Sequence, residues 1–177
     1  MRKLLFVLLV AAFGVAPKSS FGQIPAAKDV VASSAYTSFD PVARGHEFQI
    51  AVVLKIRDGY HINARETTLD YLIPTDLKFD LPVGFKAGEV SYPKGTLRTF
   101  AFSKTEALNV YTGTVILRVK VTALPDAPLG ARHIPLKLRY QACSESVCLP
   151  PVRQDVDTSF NVATTGKIAH EEFFKQK

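Results

Sequence analysis

Alternating apolar and polar residues restrict the fold of this chain more than any other feature. The alternation is clearest over residues 47–56, 114–121, 133–140 and 152–162. Because successive side chains of a strand point to opposite faces, this period predicts half-buried β-strands rather than helices. The positions predicted to face the core are Phe48, Ile50, Val52, Leu54 and Ile56; Val115, Leu117, Val119 and Val121; Ile134, Leu136, Leu138 and Tyr140; and Val152, Val156, Phe160 and Val162.

Shorter strand candidates and frequent turn residues complete the pattern. The candidates lie at 60–63, 69–73, 77–81, 85–92 and 97–102, separated by proline and glycine, and residues 24–45 are typical of an irregular lead-in or edge strand. Seven or more strands with turn signals every 8–15 residues predict an all-β, antiparallel β-sandwich in a single domain over residues 23–177. The tail from residue 164 suits either a short helix that docks through Ile168 and Phe173 or Phe174, or a frayed end.

Residues 1–22 have the pattern of a secretory signal peptide. Arg2 and Lys3 precede an apolar run over 4–15, and small residues follow it. The run is shorter than the roughly 20 residues that a membrane-spanning helix needs, so an uncleaved anchor is the weaker interpretation. We expect export to an oxidising compartment such as the bacterial periplasm, with no membrane insertion after the signal is removed.

The charge of the chain does not indicate a nucleic-acid partner. The full sequence has a net charge of +6, and the predicted signal peptide carries three of the basic residues and no acidic one. The remaining lysines and arginines alternate with acids along the strands, whereas a nucleic-acid surface requires a basic stripe. The pattern predicts a solvated surface of mixed charge.

The two cysteines of the chain, Cys143 and Cys148, lie together in "RYQACSESVCLPPVRQ", between two strand candidates. Pro150 and Pro151 exclude a helix after them, so these thiols lack the helix start that activates the cysteines of thioredoxin-type enzymes. Glu145 lies between them and disfavours a thiolate. We therefore expect no strongly activated thiol, and a partner must either supply the attacking thiolate or activate the pair on contact.

Three roles for this pair follow from its chemistry. In an exported chain it is expected to form a disulfide, which serves as a structural staple or as an exchanging couple. Closing a loop of about six residues contributes roughly 2 kcal/mol, which a domain of this size does not need. A metal clip has too few ligands, because the four histidines are scattered and the single methionine is Met1. The spacing leaves staple and exchanging couple equally open, and no motif indicates a cofactor.

The segments "YQACSESVCLPP" and "DGYHINA" together resemble the N-terminal periplasmic domain of the thiol:disulfide interchange protein DsbD, a family that includes stand-alone secreted members. The double-proline cysteine loop carries the resemblance, which extends over about residues 30–162. It implies an immunoglobulin-like sandwich and a thiol–disulfide exchange activity of the protein-disulfide reductase type, without a bound cofactor. It also implies thioredoxin-like redox partners, oxidised periplasmic substrate proteins and a link to cytochrome c maturation.

The resemblance further assigns roles to individual residues. It implies that Cys148 forms the mixed disulfide with partners and that Cys143 resolves it. It places a cap loop within residues 92–102, with Phe100 or Phe102 over the sulfurs, and it places Tyr60 and His61 beside the pair, where ordinary packing is their alternative role.

The source of electrons differs between full-length and stand-alone members of this family, and a rival function stays open. Full-length members add a membrane electron conduit and a second redox domain, so a stand-alone member is expected to take electrons from separate proteins. The rival is a non-catalytic secreted β-sandwich that binds a protein or surface and keeps a structural hairpin disulfide. The sequence carries no signal for the oligomeric state or for the direction of electron flow.

Overall fold

The structure is a computed structural model that describes residues 24–175, so the predicted signal peptide over 1–22 lies outside the described residues. This range contains two 3₁₀ turns, Ala27–Asp29 and Glu171–Phe173, and twelve strands. The strands are β1 (Val31–Thr37), β2 (Val42–Ala43), β3 (Glu47–Ile56), β4 (His61–Asn63), β5 (Asp76–Phe79), β6 (Phe85–Ser91), β7 (Thr96–Phe100), β8 (Ser103–Tyr111), β9 (Thr114–Ala123), β10 (Gly130–Tyr140), β11 (Ala142–Cys143) and β12 (Val152–Ala163). Within 24–175, no helix is long and apolar enough to cross a membrane.

Two four-stranded sheets pack face to face around the main core. The first sheet has the order β1-β3-β9-β6 and the second has the order β2-β12-β10-β5. Among the described strands only the β2–β12 pair is parallel. All core positions predicted from the alternation are buried, and Phe48, Phe85 and Phe160 meet at the centre with ring centroids 5.2–6.4 Å apart. The prediction of an all-β, immunoglobulin-like antiparallel sandwich is confirmed.

The C-terminal tail packs on the outer face of the first sheet. Its predicted helix is a single 3₁₀ turn, in which Phe173 stacks on Tyr36 with centroids 4.4 Å apart. The Arg118 guanidinium donates two hydrogen bonds to the Phe173 carbonyl. Docking through Phe173 is confirmed, whereas Ile168 is exposed and the prediction was wrong for it. Tyr36 and Arg118 flank Ala51 in the strand register, so the tail covers Ala51 and buries both faces of β3 there.

A third sheet, with the order β11-β4-β8-β7, carries the cysteines, and we call it the site sheet. Its strands β4 and β7 correspond to the candidates at 60–63 and 97–102, whereas β8 and β11 are not predicted. Strand β8 was not among the strand candidates, because its first half is polar and exposed. The candidate at 69–73 was wrong: this segment is a turn, in which Leu69 and Leu72 pack into a small second core with Phe100, Leu108 and Val110. That core lies under the β7–β8 hairpin and supports it.

The β7–β8 hairpin packs closely on the chain that follows β4, at a glycine. A Cβ atom on Gly95 would lie 2.8 Å from the Ala64 Cβ and closer still to the Asn109 side chain. The Asn109 amide is fixed by a 2.7 Å hydrogen bond that it donates to the Glu66 carbonyl, so it cannot move aside freely. Only a residue without a side chain fits here, and this contact sets how far the hairpin stands from β4.

We predict that Gly95→Ala lowers the free energy of unfolding by about 1–3 kcal/mol, because it overpacks this contact. It should also speed the reduction of the disulfide, because the hairpin is pushed away from β4. Urea denaturation and the rate of reduction by dithiothreitol measure the two effects. Gly88→Ala is the matched control, since a Cβ there meets no atom closer than 4.0 Å. Equal behaviour of the two variants would contradict the prediction.

Candidate functional site

The two cysteines form a disulfide across a small hairpin loop between β10 and β12. The backbone N–H of Ser144 donates to the Val147 carbonyl at 2.8 Å, and that of Leu149 donates to the Ala142 carbonyl at 2.8 Å. The Ser144 hydroxyl oxygen accepts from the backbone N–H groups of Ser146 and Val147. The loop is therefore closed by its own hydrogen bonds as well as by the sulfur–sulfur bond.

The two ends of the disulfide differ in accessibility. Cys143 belongs to β11, at the edge of the site sheet, and has 0% of its surface exposed. Cys148 is partly exposed and follows the exposed residues Glu145, Ser146 and Val147. Of the two cysteines, only Cys148 presents part of its surface to solvent.

His61 lies next to Cys143 in the site sheet. The two residues are directly opposed in the antiparallel β4–β11 pair, and such residues project their side chains to the same face with Cβ atoms about 4.5–5.5 Å apart.

His61 is 2% exposed. Burial first, and the positive charge of Arg98 second, lower the pKa of His61 to about 4. The unfolded chain therefore binds a proton that the folded protein does not, and stability decreases as the pH falls from about 6.5 to about 4.

The tip of the β7–β8 hairpin folds over His61. The rings of Phe100 and His61 stack with centroids 3.9 Å apart, and Phe102 stacks on Phe100 at 5.5 Å. Phe100 is 3% exposed, whereas Phe102 is 42% exposed. A register shift between Arg98 and Phe100 interrupts the ladder at this point, as expected where a strand bends to redirect a side chain. The hairpin tip thus lies within the segment 92–102 in which a cap was expected.

An ion pair joins the hairpin to the cysteine loop. Arg98 Nη2 lies 3.4 Å from Glu145 Oε1. The Arg98 guanidinium also lies 5.4 Å from the centroid of the Phe100 ring, within the roughly 6 Å limit of a cation–π contact. Both charged side chains are about half exposed or more, so the pair is weak. Sequence analysis missed Arg98, and it assigned Glu145 only a repulsive effect on a thiolate, which the arginine now offsets.

The remaining predicted residue, Tyr60, is half-buried and packs against the main core. With His61, Arg98 and Glu145 it also lines a cavity of about 240 Å³ beside the cysteine loop. The structure thus brings Cys143, Cys148, His61, Phe100 and Phe102 to one end of the site sheet, with Tyr60 at the margin. Among residues 24–175, no three His, Cys, Asp or Glu side chains cluster as a metal site would require.

If the ion pair holds the hairpin tip in place, removing either charge should speed the reduction of the disulfide. We predict that Arg98→Gln and Glu145→Gln each accelerate reduction by dithiothreitol, by up to about fivefold at low salt and less at high salt. A direct effect of charge on the attacking thiolate would instead slow Arg98→Gln and speed only Glu145→Gln. Glu47→Gln, which breaks the Lys120–Glu47 pair elsewhere on the surface, is the matched control.

The chain is similar in sequence to a known protein family. The sequence profile of the family described as "Thiol:disulfide interchange protein DsbD, N-terminal" matches residues 27–159. A search of curated proteins finds no match to the chain.

Two solved structures of low sequence identity are similar to this chain. The DsbD N-terminal domain of Neisseria meningitidis, in the reduced form, is 21% identical with a TM-score of 0.45, over 81% of this chain and 93% of that one. The N-terminal periplasmic domain of ScsB from Proteus mirabilis is 11% identical with a TM-score of 0.48, over 73% of this chain and 46% of that one. The profile match covers most of the chain, including both cysteines, and on that ground the chain belongs to the family of DsbD N-terminal domains.

Proposed function

We propose that this protein is a periplasmic thiol–disulfide exchange module that takes electrons from thioredoxin-like proteins and passes them to oxidised periplasmic proteins through Cys143 and Cys148. Membership of the DsbD N-terminal family and the disulfide itself support exchange chemistry in general. The observation that carries the specific assignment is the unequal exposure of the two cysteines, because it gives each one a separate role.

Reduction of the module begins at the exposed end. A thiolate of a thioredoxin-like dithiol attacks the Cys148 sulfur, a bond forms between them, and the Cys143–Cys148 bond breaks. Cys143 leaves as a thiolate and takes up a proton. The second thiol of the donor then attacks the donor sulfur that is bonded to Cys148, and this releases Cys148. The donor ends as a disulfide, and the module holds the two electrons as a dithiol.

Delivery of the electrons reverses these roles. The Cys148 thiolate attacks the disulfide of an oxidised protein, and one substrate sulfur leaves as a thiolate. Cys143, which lies beside Cys148, then attacks the mixed disulfide and restores the internal bond. Because Cys143 is buried, its attack inside the loop is favoured over its reaction with a second protein.

The two roles are separated by matched cysteine variants. We expect Cys143→Ala to accumulate a mixed disulfide through Cys148, because the resolving thiol is missing. Cys148→Ala should give roughly tenfold less adduct, because the remaining thiol is buried. Both variants are incubated with an oxidised periplasmic extract and with an oxidised thioredoxin-like protein, and adducts are counted by non-reducing electrophoresis and mass spectrometry. Equal trapping by the two variants, or none by Cys143→Ala, would contradict the assigned roles.

The rival function, a binding sandwich with a structural disulfide, is favoured by one feature: Cys143 is fully buried, as the cysteines of an inert structural bridge commonly are. The reduction potential separates the two functions. We expect a potential above about −300 mV for the exchanging pair, whereas structural bridges lie below this value. Equilibration with glutathione and with a thioredoxin couple, followed by thiol alkylation, gives the potential directly. A value below that limit would favour the rival.

A further inference from the structure

A buried nitrogen without an evident structural role lies beside the disulfide. Within residues 24–175, the Nε2 atom of His61 has no hydrogen-bond partner. A buried polar atom in this state destabilises the fold, so its presence calls for an explanation. Stacking on Phe100 does not provide one, because a phenylalanine at this position would stack equally well and would bury no unpaired nitrogen.

The strand register shows which group can become the partner of this nitrogen. Cys143 is directly opposite His61, on the same face of the site sheet, and both side chains are buried. In the disulfide the Cys143 sulfur carries no proton to donate. On reduction it becomes a thiol, and a hydrogen-bond donor appears next to a buried acceptor.

We propose that His61 is a positioning residue for Cys143, and that its Nε2 accepts a hydrogen bond from the Cys143 thiol in the reduced protein. This rests on the proposed function, which requires Cys143 to alternate between thiol and disulfide. The hydrogen bond stabilises the reduced form, and it points the thiol proton at a base before the resolving step.

The proton follows the same hydrogen bond when a mixed disulfide is resolved. The Cys143 sulfur attacks the Cys148 sulfur, the internal disulfide forms, and the bond from Cys148 to the substrate protein breaks. The Cys143 proton passes to Nε2 of His61, and the departing sulfur leaves with the electron pair. The imidazolium then gives its proton to that thiolate, so His61 ends neutral and the substrate ends as a thiol.

The charges around His61 suit an acceptor. The charged groups that face it are Arg98 from β7 and, around the adjoining cavity, Arg57, Asp58 and Glu145, of which Glu145 pairs with Arg98. Burial and Arg98 keep the pKa of His61 near 4, so at neutral pH the imidazole is uncharged and one of its nitrogens can accept. A thiolate at Cys143 would in turn favour the protonated imidazole, as in other cysteine–histidine pairs.

His61→Phe tests the nitrogen without removing the stack on Phe100. We expect its equilibrium constant for reduction by glutathione to fall about tenfold, which is a potential lower by about 30 mV. The resolution of a mixed disulfide at pH 7 should slow by a similar factor, and its pH profile should shift upwards. His61→Gln, which retains an acceptor, should recover part of both effects. His133→Phe, on the exposed part of β10, is the matched control and should change neither.

The thermal midpoint of the oxidised protein separates this role from a structural one. It should be unchanged or higher in His61→Phe, because the unpaired buried nitrogen is gone. A variant that is destabilised while its redox equilibrium and resolution rate match those of the wild-type protein would overturn the inference.

A measurement on the wild-type protein needs no variant and no protein partner. The ¹⁵N chemical shift of His61 Nε2 should change when dithiothreitol reduces the disulfide, while that of His133 should not. An unchanged His61 shift would overturn the inference.

If this shift changes but no thioredoxin-like protein exchanges with the wild-type domain, the proposed function fails and the hydrogen bond stands. If exchange occurs and the shift is unchanged, the inference alone fails.

Discussion

The site depends on two backbone hydrogen bonds that close the cysteine loop, Ser144 to Val147 and Leu149 to Ala142. Because neither bond involves a sulfur atom, we expect them to hold the two cysteines opposite each other after reduction as well. An exchanging pair needs cysteines that stay close together without the sulfur–sulfur bond, because after the first attack the resolving thiol must remain near its target. A structural staple has no such need. Since the hydrogen bonds already restrain the loop in part, a staple here would also stabilise the fold by less than the roughly 2 kcal/mol expected from closing a free loop of this size.

The sandwich could be predicted from the sequence because its long strands have one buried and one solvated face. The site sheet could be predicted only in part: the candidates at 60–63 and 97–102 correspond to β4 and β7, whereas β11 has two residues and exists only through its pairing with β4. A strand this short shows no period. The strand predicted at Leu69 and Leu72 was wrong for a related reason. These two apolar residues lie in a turn that packs under the hairpin, and over so few residues the spacing of apolar positions does not distinguish a turn from a strand.

The residues of the site likewise divide into those that the sequence predicts and those that it does not. Both cysteines are evident in the sequence, and the family resemblance indicated His61 and Phe100. Arg98 and Glu145 are 47 residues apart and meet only because the hairpin folds over the loop. The difference in exposure between the cysteines also depends on the β4–β11 pairing, which buries Cys143 at a sheet edge and leaves Cys148 in the outer half of the loop.

The contacts that hold the hairpin tip are weak compared with those of the sandwich. The exposed Arg98–Glu145 pair contributes at most about 1 kcal/mol, the cation–π contact about 0.5–1 kcal/mol, and the burial of Phe100 about 1.5–3 kcal/mol. Lifting the tip would therefore cost roughly 2–5 kcal/mol, so between about one molecule in thirty and about one in several thousand would be open at any time. A partner that binds with micromolar affinity supplies about 8 kcal/mol. We therefore expect contact with a partner to open the stack over His61 while the two main sheets remain folded.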